Sequence, residues 1–262
     1  MITKIKEFND MNSMMKILII EPGLPPAPLK AESGFYPAMF KRLVSSEIKG
    51  AHFDVCSVIC GDCLPDAVQY DGVVILGSPH SVYEDLPWIN ELVGFVQNAA
   101  KHKIPQIGIC FGHQLIAKAM GGHVAKAPQG WGIGRHSYEI AHENIGEICP
   151  VVCKSKKALN LLVSHQDQVL EKPRDAKVVA GSEFTPNAVL HYEAHNIISC
   201  QAHPEFTPSF AHELIASRRG TRFPEDFADK ALADINEPVD GELVAQIFAS
   251  QLKTAHEQRK AA

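Results

Sequence analysis

The sequence predicts an α/β fold in which a doubly wound, mostly parallel sheet is flanked by helices. In the N-terminal half, short apolar runs typical of buried strands alternate with longer amphipathic stretches of helical period. Turn residues separate these runs, which is the order expected of a parallel sheet with crossover helices. In the C-terminal half the apolar runs are shorter and follow one another without helices between them. Part of the sheet is therefore expected to be antiparallel before the chain ends in helices.

The first predicted strand is Lys16–Ile20, which is apolar after its first residue. The segment Glu21–Pro28 follows and contains four prolines, which remove backbone donors and disfavour a helix, so we expect a loop there. The N-terminal half then continues with the following predicted elements: helix Tyr36–Ile48, strands His52–Cys60 and Gly72–Leu76, helix Trp88–His102, strand Ile104–Ile109 and helix Leu115–Met120.

The C-terminal half is predicted to contain these short strands: Val124–Lys126, Arg135–Ala141, Pro150–Cys153, Leu159–Val163, Lys177–Ala180, Ala188–His191 and Ile197–Gln201. Helices are expected at Phe210–Arg219 and Glu242–Ala255, with Pro224 and Pro238 interrupting the chain between them. Residues 1–14 are expected to form an N-terminal extension and residues 15–262 a single domain, with a C-terminal helical segment over about residues 208–262.

Composition and charge exclude several classes of protein. With 262 residues and 45% hydrophobic content, the chain is long enough to bury one large core. The net charge of −5 comes from scattered residues and argues against a nucleic-acid surface, so no nucleic-acid partner is expected. No apolar run reaches the length of a membrane span, and the N-terminus lacks the apolar core of a signal peptide. We therefore expect no membrane association and a cytoplasmic location.

The seven cysteines predict neither a disulfide framework nor a metal centre. Their odd number and irregular spacing are typical of a protein from a reducing compartment. Two groups, Cys56 with Cys60 and Cys63, and Cys149 with Cys153, lack the paired spacing of structural zinc sites. Because the first group also lies in a run that resembles a core strand, we predict that no metal is bound.

The most informative segment is Gly108–Gln114, in which Cys110 stands between two glycines where a predicted strand meets a predicted helix. This is the pattern of a nucleophile elbow, a strained turn that needs small residues on either side of the nucleophile. A helix N-terminus also favours a thiolate and offers free N–H groups to an oxyanion. Cys110 is therefore a candidate nucleophile, although a buried structural cysteine at the end of a core strand gives the same pattern.

A second segment supplies a base and a group that orients it. The apolar run Ile197–Gln201 is soon followed by His203-Pro204-Glu205, where the proline restricts the preceding residue to an extended conformation and ends the strand ladder. The imidazole and the carboxylate can then point out of the same strand end. In a Cys–His–Glu triad, His203 takes the thiol proton and returns it to the leaving group. Glu205 fixes the imidazole tautomer and favours its charged form.

With three further motifs, the chain resembles the class I, or triad, glutamine amidotransferases, and most closely stand-alone proteins similar to the glutaminase domain of GMP synthetase. The further motifs are Gly77–Asp85 with Pro87-Trp88-Ile89, Gly130–Gly134 and Ser164–Val169. The resemblance covers about residues 15–210. One departure is Gly77-Ser78-Pro79, where the GMP synthetase domain usually has Gly-Gly-Pro. This change bears on the substrate and partner more than on the triad.

The resemblance implies a flavodoxin-like fold and hydrolysis of the glutamine side-chain amide through a γ-glutamyl thioester. The expected catalytic residues are Cys110, His203 and Glu205, and no cofactor is expected. The oxyanion is expected to be held by main-chain N–H groups of Phe111 and of the Gly77-Ser78 turn. The residues expected to bind the amino-acid end of the substrate are Gln114, Ser164, His165 and Gln166.

The sequence contains neither a P-loop nor the Ser-Gly-Gly-x-Asp-Ser run of a synthetase, so the ammonia acceptor is expected to be a separate protein. Three interpretations remain open. The chain is a glutaminase subunit that releases ammonia for a synthetase partner, an autonomous γ-glutamyl peptide hydrolase, or a non-catalytic regulatory protein on the same scaffold. The intact Cys110, His203 and Glu205 argue against the third. The oligomeric state is not predicted.

Several residues near these motifs have plainer interpretations. His113 is expected to pack against the sheet or to hydrogen-bond a strand. For His165, a contact with substrate and a role in holding its loop remain equally open. Trp131 is expected to form a pocket wall, the pair Glu84-Asp85 a solvated surface or a helix N-cap, and Cys200 part of the core.

Two peripheral segments have open roles. The rigid loop Pro25–Pro28 is expected to wall off the mouth of the site, as a partner surface or as a peptide subsite. The segment after Phe210, including Arg218-Arg219, is expected to cover part of the sheet or to form a dimer contact.

Overall fold

The computed structural model describes residues 14–145 and 156–261. The N-terminal half alternates strands with helices, as predicted. Its strands are β1 (Lys16–Ile20), β2 (His52–Cys56), β3 (Gly72–Ile75) and β4 (Gln106–Ile109). Its helices are α1 (Ala27–Ser33), α2 (Tyr36–Val44), α3 (Pro87–Lys101) and α4 (Phe111–Ala119).

The C-terminal half contains most of the strands. These are β5 (His123–Lys126), β6 (Gly132–Ile140), β7 (Ala158–His165), β8 (Asp167–Glu171), β9 (Lys177–Gly181), β10 (Val189–Tyr192) and β11 (Ile197–Cys200). Its helices are the short α5 (His142–Ile145), then α6 (Pro208–Ala216), α7 (Glu225–Leu232) and α8 (Gly241–Ala261). Among the described helices, none is both long enough and apolar enough to span a membrane.

Within the described residues, nine strands form one mixed sheet in the order β2-β1-β3-β4-β11-β10-β9-β6-β7, and β5 pairs with β8 separately. The strands from β2 to β11 run parallel to their neighbours, and those from β11 to β7 pair antiparallel. The strands β3, β4 and β11 are parallel neighbours, so their carboxyl ends lie side by side. In open α/β sheets this edge is where ligands bind.

The core occupies both faces of the sheet, which explains why the strand sequences are apolar without alternation. In β1, Ile17 and Ile19 pack on one face with residues of α2 and α8. Leu18 and Ile20 pack on the other face with residues of α3 and α4. The predicted α/β class, with helices on both sides of the sheet, is confirmed.

Two element predictions in the N-terminal half are wrong. The proline-rich segment does not stay a loop, because α1 begins at Ala27 with a proline in its first turn, where no helical N–H bond is required. The strand predicted to reach Cys60 ends at Cys56 and is followed by a 3₁₀ turn, Val58–Cys60. This strand lies at the sheet edge and is largely solvent-exposed, so its apolar pattern did not report a core position.

Three elements were not predicted in the C-terminal half, of which the first is the short helix α5. The strand β8 carries acidic residues at both ends and pairs only with β5, so its sequence has little of a core-strand pattern. Helix α7 buries only Ala228 and begins directly after Pro224, which looked like a breaker. The predicted strand Pro150–Cys153, with Cys149, lies outside the described residues, as do residues 1–13 of the predicted extension.

Candidate active site

A cavity of about 500 Å³ lies at the carboxyl ends of β3, β4 and β11. Its floor contains Cys110, which follows β4, with Gly77 and Ser78 after β3 and His203 after β11. The loop residues Leu24 and Pro26 also line it, as expected for a segment near the mouth. The structure therefore brings together three segments that lie far apart in the sequence.

Cys110 occupies a strained turn between β4 and α4. Its backbone has φ 52° and ψ −102°, a conformation that costs a non-glycine residue about 1–3 kcal/mol and persists only when its surroundings fix it. The Cys110 N–H donates to the carbonyl of Cys200 at 2.9 Å, and its own carbonyl accepts from the Gln114 N–H at 3.1 Å. The side chain is 6% exposed. This is the geometry of a nucleophile elbow.

Two glycines allow the elbow to pack this closely. A Cβ added to Gly108 would lie 2.6 Å from the carbonyl oxygen of Gly112. A Cβ added to Gly112 would lie 2.7 Å from the carbonyl carbon of Ile75 in β3. Both distances are below van der Waals contact, which agrees with the predicted need for small residues beside the nucleophile.

His203 and Glu205 form a buried pair beside the cysteine. The Nδ1 of His203 lies 2.7 Å from Oε1 of Glu205, and each residue is 5% exposed. The other side of the imidazole interacts with the Cys110 thiol. The ring of Phe206 stacks on the imidazole with centroids 3.9 Å apart, and the His203 N–H donates to the Leu162 carbonyl at 2.8 Å. Glu205, Cys110 and Phe206 thus contact the imidazole ring, and the main-chain hydrogen bond holds the backbone that carries it.

The charge state of His203 follows from these contacts. Burial disfavours the charged ring, but the carboxylate of Glu205 and the neighbouring Cys110 sulfur outweigh burial and raise the pKa of His203 to about 10. The imidazole is therefore protonated at neutral pH. A protonated imidazole next to a cysteine stabilises a thiolate, so the pair is suited to nucleophilic attack without a prior proton transfer.

Two main-chain N–H groups near Cys110 are available to an oxyanion. Within the described residues, nothing accepts a hydrogen bond from the N–H of Ser78 or Phe111. The Ser78 hydroxyl donates to the Pro22 carbonyl at 2.8 Å and accepts from the His80 N–H at 3.2 Å, which holds the turn in place. A Cβ added to Gly77 would lie 2.9 Å from the His203 ring, so only glycine fits there.

Gln114 and Gln201 form an amide chain that ends at the thiol. The Gln114 side-chain nitrogen donates to the Asp167 carbonyl at 2.8 Å and to the Gln201 side-chain oxygen at 3.1 Å. The Gln201 nitrogen then donates to the Cys110 sulfur at 3.7 Å. Gln114 lines the cavity, as predicted for a substrate-binding residue. Gln201 was not identified from the sequence, although a buried polar residue directly after a core strand is a usable signal.

Ser164, His165 and Gln166 also line the cavity, but each has a partner within the protein. The Ser164 hydroxyl accepts from Arg218 at 3.0 Å, and the Gln166 carbonyl accepts from the Ala127 N–H at 2.9 Å. His165 donates to the Asp167 carbonyl at 3.2 Å. Burial, with the repulsion of neighbouring histidines, lowers the pKa of His165 to about 3, so it stays neutral.

Most of the residues near the motifs have the structural roles expected of them. His113 is buried and lies 2.8 Å from the Ser199 hydroxyl of β11, so its predicted structural role is confirmed. Trp131 lines the cavity, and Cys200 is fully buried, both as expected. Of the two interpretations of Glu84-Asp85, the solvated surface fits, because Asp85 is exposed and Glu84 partly exposed. The helix cap does not fit, because α3 is preceded by Leu86 and the Glu84 carboxylate accepts from the Ser81 N–H at 2.6 Å.

The sequence also failed to identify the cavity wall next to His203. Tyr36 stacks on Phe206 with centroids 6.1 Å apart. Beyond them lie two arginines of the segment after α6, Arg218 and Arg222, both lining the cavity. The segment containing Arg218-Arg219 was expected to cover the sheet or to contact a second copy, so its contribution to the cavity was missed.

No metal-binding cluster of three or more His, Cys, Asp or Glu residues occurs in the part of the chain that the structure describes. Cys56, Cys60 and Cys63 are free cysteines, and the last two are exposed. Cys149 and Cys153 lie outside the described residues.

Comparison with known proteins shows which family the chain is similar to. The model of the family "Glutamine amidotransferase class-I" matches residues 39–219. Gamma-glutamyl peptidase 3 of Arabidopsis thaliana is 33% identical over 213 residues, which cover 78% of this chain and 82% of that protein. One subunit of the glutamine-hydrolyzing GMP synthase of Sulfolobus acidocaldarius is 27% identical over 172 residues, which cover 65% of this chain and 86% of that protein. These relatives are hydrolytic or amidotransferase enzymes.

Solved structures show the same fold at lower sequence identity. A glutamine amidotransferase from Thermotoga maritima superposes with a TM-score of 0.67 at 21% identity, covering 93% of this chain and 98% of that one. A glutamine amidotransferase from Methylobacillus flagellatus gives a TM-score of 0.69 at 21% identity, covering 94% of both chains. Because the family model matches more than half of its residues, this chain belongs to the glutamine amidotransferase class-I family.

Proposed function

We propose that this protein hydrolyses γ-glutamyl amide bonds through a thioester on Cys110, with His203 and Glu205 as the other members of its triad. The observation that carries the proposal is the buried Glu205–His203–Cys110 chain, in which a protonated imidazole lies beside a cysteine on a strained elbow. A chain without catalytic function has no need for this strained and charged arrangement. We therefore set aside the interpretation as a non-catalytic regulatory protein.

The first half of the reaction forms the thioester. The Cys110 thiolate attacks the γ-carbonyl carbon, and the carbonyl electron pair moves to the oxygen. As the carbon–nitrogen bond breaks, the His203 imidazolium gives its proton to the leaving nitrogen, so ammonia or an amine departs neutral. Glu205 accepts the hydrogen bond from Nδ1 throughout and keeps the other ring nitrogen directed at the thiol.

The second half releases glutamate. Neutral His203 takes a proton from a water molecule whose oxygen attacks the thioester carbon. Collapse of that intermediate expels the Cys110 thiolate and restores the imidazolium. In both halves the oxyanion accepts hydrogen bonds from the N–H of Phe111 and an N–H of the Gly77-Ser78 turn, each contributing about 3 kcal/mol.

The amino-acid end of the substrate is held on the opposite side of Cys110 from His203. Gln114 binds it with its side-chain oxygen, since its nitrogen is committed to Asp167 and Gln201. Main-chain groups of Ser164, His165 and Gln166 complete this side, and Ser164 lies where this side meets the opposite wall, because its hydroxyl accepts from Arg218 at 3.0 Å. His165 acts as a neutral hydrogen-bonding group and not as a second base, because its low pKa leaves it uncharged.

The leaving group decides between two versions of this function. Hydrolysis of γ-glutamyl peptides is supported by the relative named gamma-glutamyl peptidase 3 and by a cavity in the size range that accommodates drug-sized ligands. Hydrolysis of glutamine, with ammonia passed to a separate synthetase, is supported by the relative from Sulfolobus acidocaldarius, one subunit of a glutamine-hydrolyzing GMP synthase. The triad chemistry is the same in both.

The experiment that tests the proposal measures glutamate release by the purified chain from L-glutamine and from γ-Glu-Cys at equal concentration. Cys110→Ala serves as the blank. Fast release from the dipeptide identifies an autonomous hydrolase. Silence on both, with Cys110 still reactive to a glutamine-analogue alkylator, identifies a glutaminase subunit that requires its synthetase. Silence on both with an unreactive Cys110 contradicts the proposal.

A further inference from the structure

Two arginines without carboxylate partners line the cavity on the same side as His203. We call Arg218 and Arg222 the arginine pair. Arg218 is half-buried and donates to the Ser164 hydroxyl at 3.0 Å, and Arg222 lies over the Trp131 ring at 4.7 Å from its centroid. Burial and the repulsion of Arg222 lower the pKa of Arg218, but a guanidinium stays charged at neutral pH in proteins.

The arginine pair differs from the arginine between its members. Arg219 points away from the cavity and forms ion pairs with Asp229 at 2.7 Å and Glu225 at 3.1 Å. Within residues 14–145 and 156–261, the structure shows no such ion pair for Arg218 or Arg222. Arg218 and Arg222 are two cations that line a cavity, and the nearby carboxylates of α7 are paired with Arg219, so the arginine pair can accept an anion from outside.

The position of the pair relative to the reacting bond indicates which part of a substrate it meets. Phe206 stacks on His203 at 3.9 Å, and Tyr36 stacks on Phe206 at 6.1 Å. The rings of Tyr36 and Phe206 both pack edge-on against Phe210 of α6, with centroids 6.3 and 4.5 Å away, and the arginine pair follows the end of that helix. The pair therefore lies beyond His203, whereas Gln114 and Gln201 lie on the other side of the thiol. The leaving nitrogen receives its proton from His203, so the leaving group lies towards the arginine pair.

We infer that the arginine pair binds a carboxylate on the leaving group, so that the preferred substrates are γ-glutamyl peptides with a free α-carboxylate after the scissile bond. This inference rests on the proposed function and selects one version of it. A guanidinium binds a carboxylate through two parallel hydrogen bonds, which gives geometric selectivity as well as affinity. Ammonia, the leaving group of glutamine, has no carboxylate, so the arginine pair adds no affinity for glutamine.

The test compares two substrates that differ in this carboxylate: γ-Glu-Gly, which carries it, and γ-glutamyl-ethylamide, which lacks it. The variants are Arg218→Gln and Arg222→Gln, with Arg219→Gln as the matched surface control. For each arginine-pair variant we expect kcat/KM for γ-Glu-Gly to fall at least about tenfold, mainly through KM, relative to the change for γ-glutamyl-ethylamide. Arg219→Gln should leave the ratio of the two substrates unchanged.

Two results would overturn the inference. An equal loss for both substrates would mean that the arginines hold the glutamyl end or only support the fold, and an unchanged ratio would mean that they bind no leaving group. Circular dichroism and thermal unfolding verify that Arg218→Gln is folded, and Arg222→Gln, at an exposed position, repeats the test.

A second measurement separates this inference from the proposed function. Calorimetric titration of Cys110→Ala protein with γ-Glu-Gly and γ-glutamyl-ethylamide reports binding without turnover. A preference of at least about tenfold for γ-Glu-Gly that Arg218→Gln abolishes supports the arginine pair even if the native chain releases no glutamate. Equal affinities of the two ligands would overturn it even if both are hydrolysed.

Discussion

The two sides of the cavity are formed by different structural elements and different types of residue. The nucleophile side, comprising Cys110, Phe111, Gln114 and Gln201, is formed by main chain at strand ends and by amides that are bonded to one another. The arginine pair forms the other side and belongs to a turn after α6, outside the sheet. Chemistry needs positions fixed within a fraction of an ångström, which strand ends provide, while selection among leaving groups needs only charge and reach. In the proposed function, the fold thus places the reaction and the selection of the leaving group on different elements.

The largest effect is expected at the centre of the nucleophile side. Cys110→Ala removes the only sulfur in contact with His203 among the described residues, so glutamyl release should fall to the level of the blank. The exposed Cys60→Ala is the matched control and should keep full activity. Far-ultraviolet circular dichroism should be unchanged in both. Retained turnover in the folded Cys110→Ala variant would contradict the comparison of the two cavity sides, because Cys110 would then have a structural role and not a catalytic one.

The next effect concerns the charge behind the imidazole. Glu205→Gln keeps the shape of the side chain but removes the negative charge 2.7 Å from His203. We expect kcat/KM to fall by about 10²- to 10⁴-fold, as for loss of the acidic member of other triads. The pKa of His203 should fall at the same time, because Glu205 is the main group that raises it. A pH–rate profile of the variant that matches the native one would contradict this role.

A smaller effect, visible without substrate, tests the charge state of the pair. His203 carries a raised pKa and lies beside Cys110, so we predict that Cys110 reacts as a thiolate across the neutral range. The rate of iodoacetamide alkylation at Cys110 should then change little between pH 6 and pH 8. A free thiol with a pKa of about 8.5 reacts about 100-fold faster at pH 8 than at pH 6. Alkylation of the exposed Cys60 and Cys63, measured in the same sample by peptide mass spectrometry, gives the comparison within this chain. A slope at Cys110 equal to theirs would rule out the preformed pair.

The smallest effect concerns the backbone packing on which the nucleophile side depends. Gly112→Ala introduces a Cβ against the Ile75 carbonyl and should lower the free energy of unfolding by about 1–3 kcal/mol. Gly94→Ala, on the exposed face of α3 with open space around it, should instead raise it by about 0.5–1 kcal/mol through helix propensity. Urea unfolding measures both. Equal changes would show that the elbow is not tightly packed.

The same division explains what the sequence could predict. Cys110 and His203 stand at the ends of core strands, and short-range patterns of apolar residues, glycine and proline identify such positions. Arg218 and Arg219 are adjacent and chemically identical, so nothing local indicates which of them lines the cavity. That distinction arises from a contact between residues 54 positions apart, Arg218 and Ser164. Gln201 was missed for a related reason, since its partner Cys110 lies 91 positions away.

The elements that the sequence analysis missed also depend on contacts between residues that are distant in the sequence. The strand β8 is short and polar at its ends because it belongs to a two-stranded ribbon and not to the core. Its value to the site is positional, since the Asp167 carbonyl at its start accepts from Gln114. Such a role depends on the position of the main chain, which any residue type can supply, so the sequence does not reveal it.

The central claim is that glutamyl transfer passes through a thioester on Cys110, and acid quenching during turnover tests it most directly. Mass spectrometry of the quenched protein reports whether the Cys110 peptide carries a glutamyl group, and added hydroxylamine traps the same intermediate as γ-glutamyl hydroxamate. We predict a Cys110-linked glutamyl adduct, and hydroxamate formed at the expense of glutamate, with neither in Cys110→Ala. Full glutamate release without adduct or hydroxamate would contradict the account.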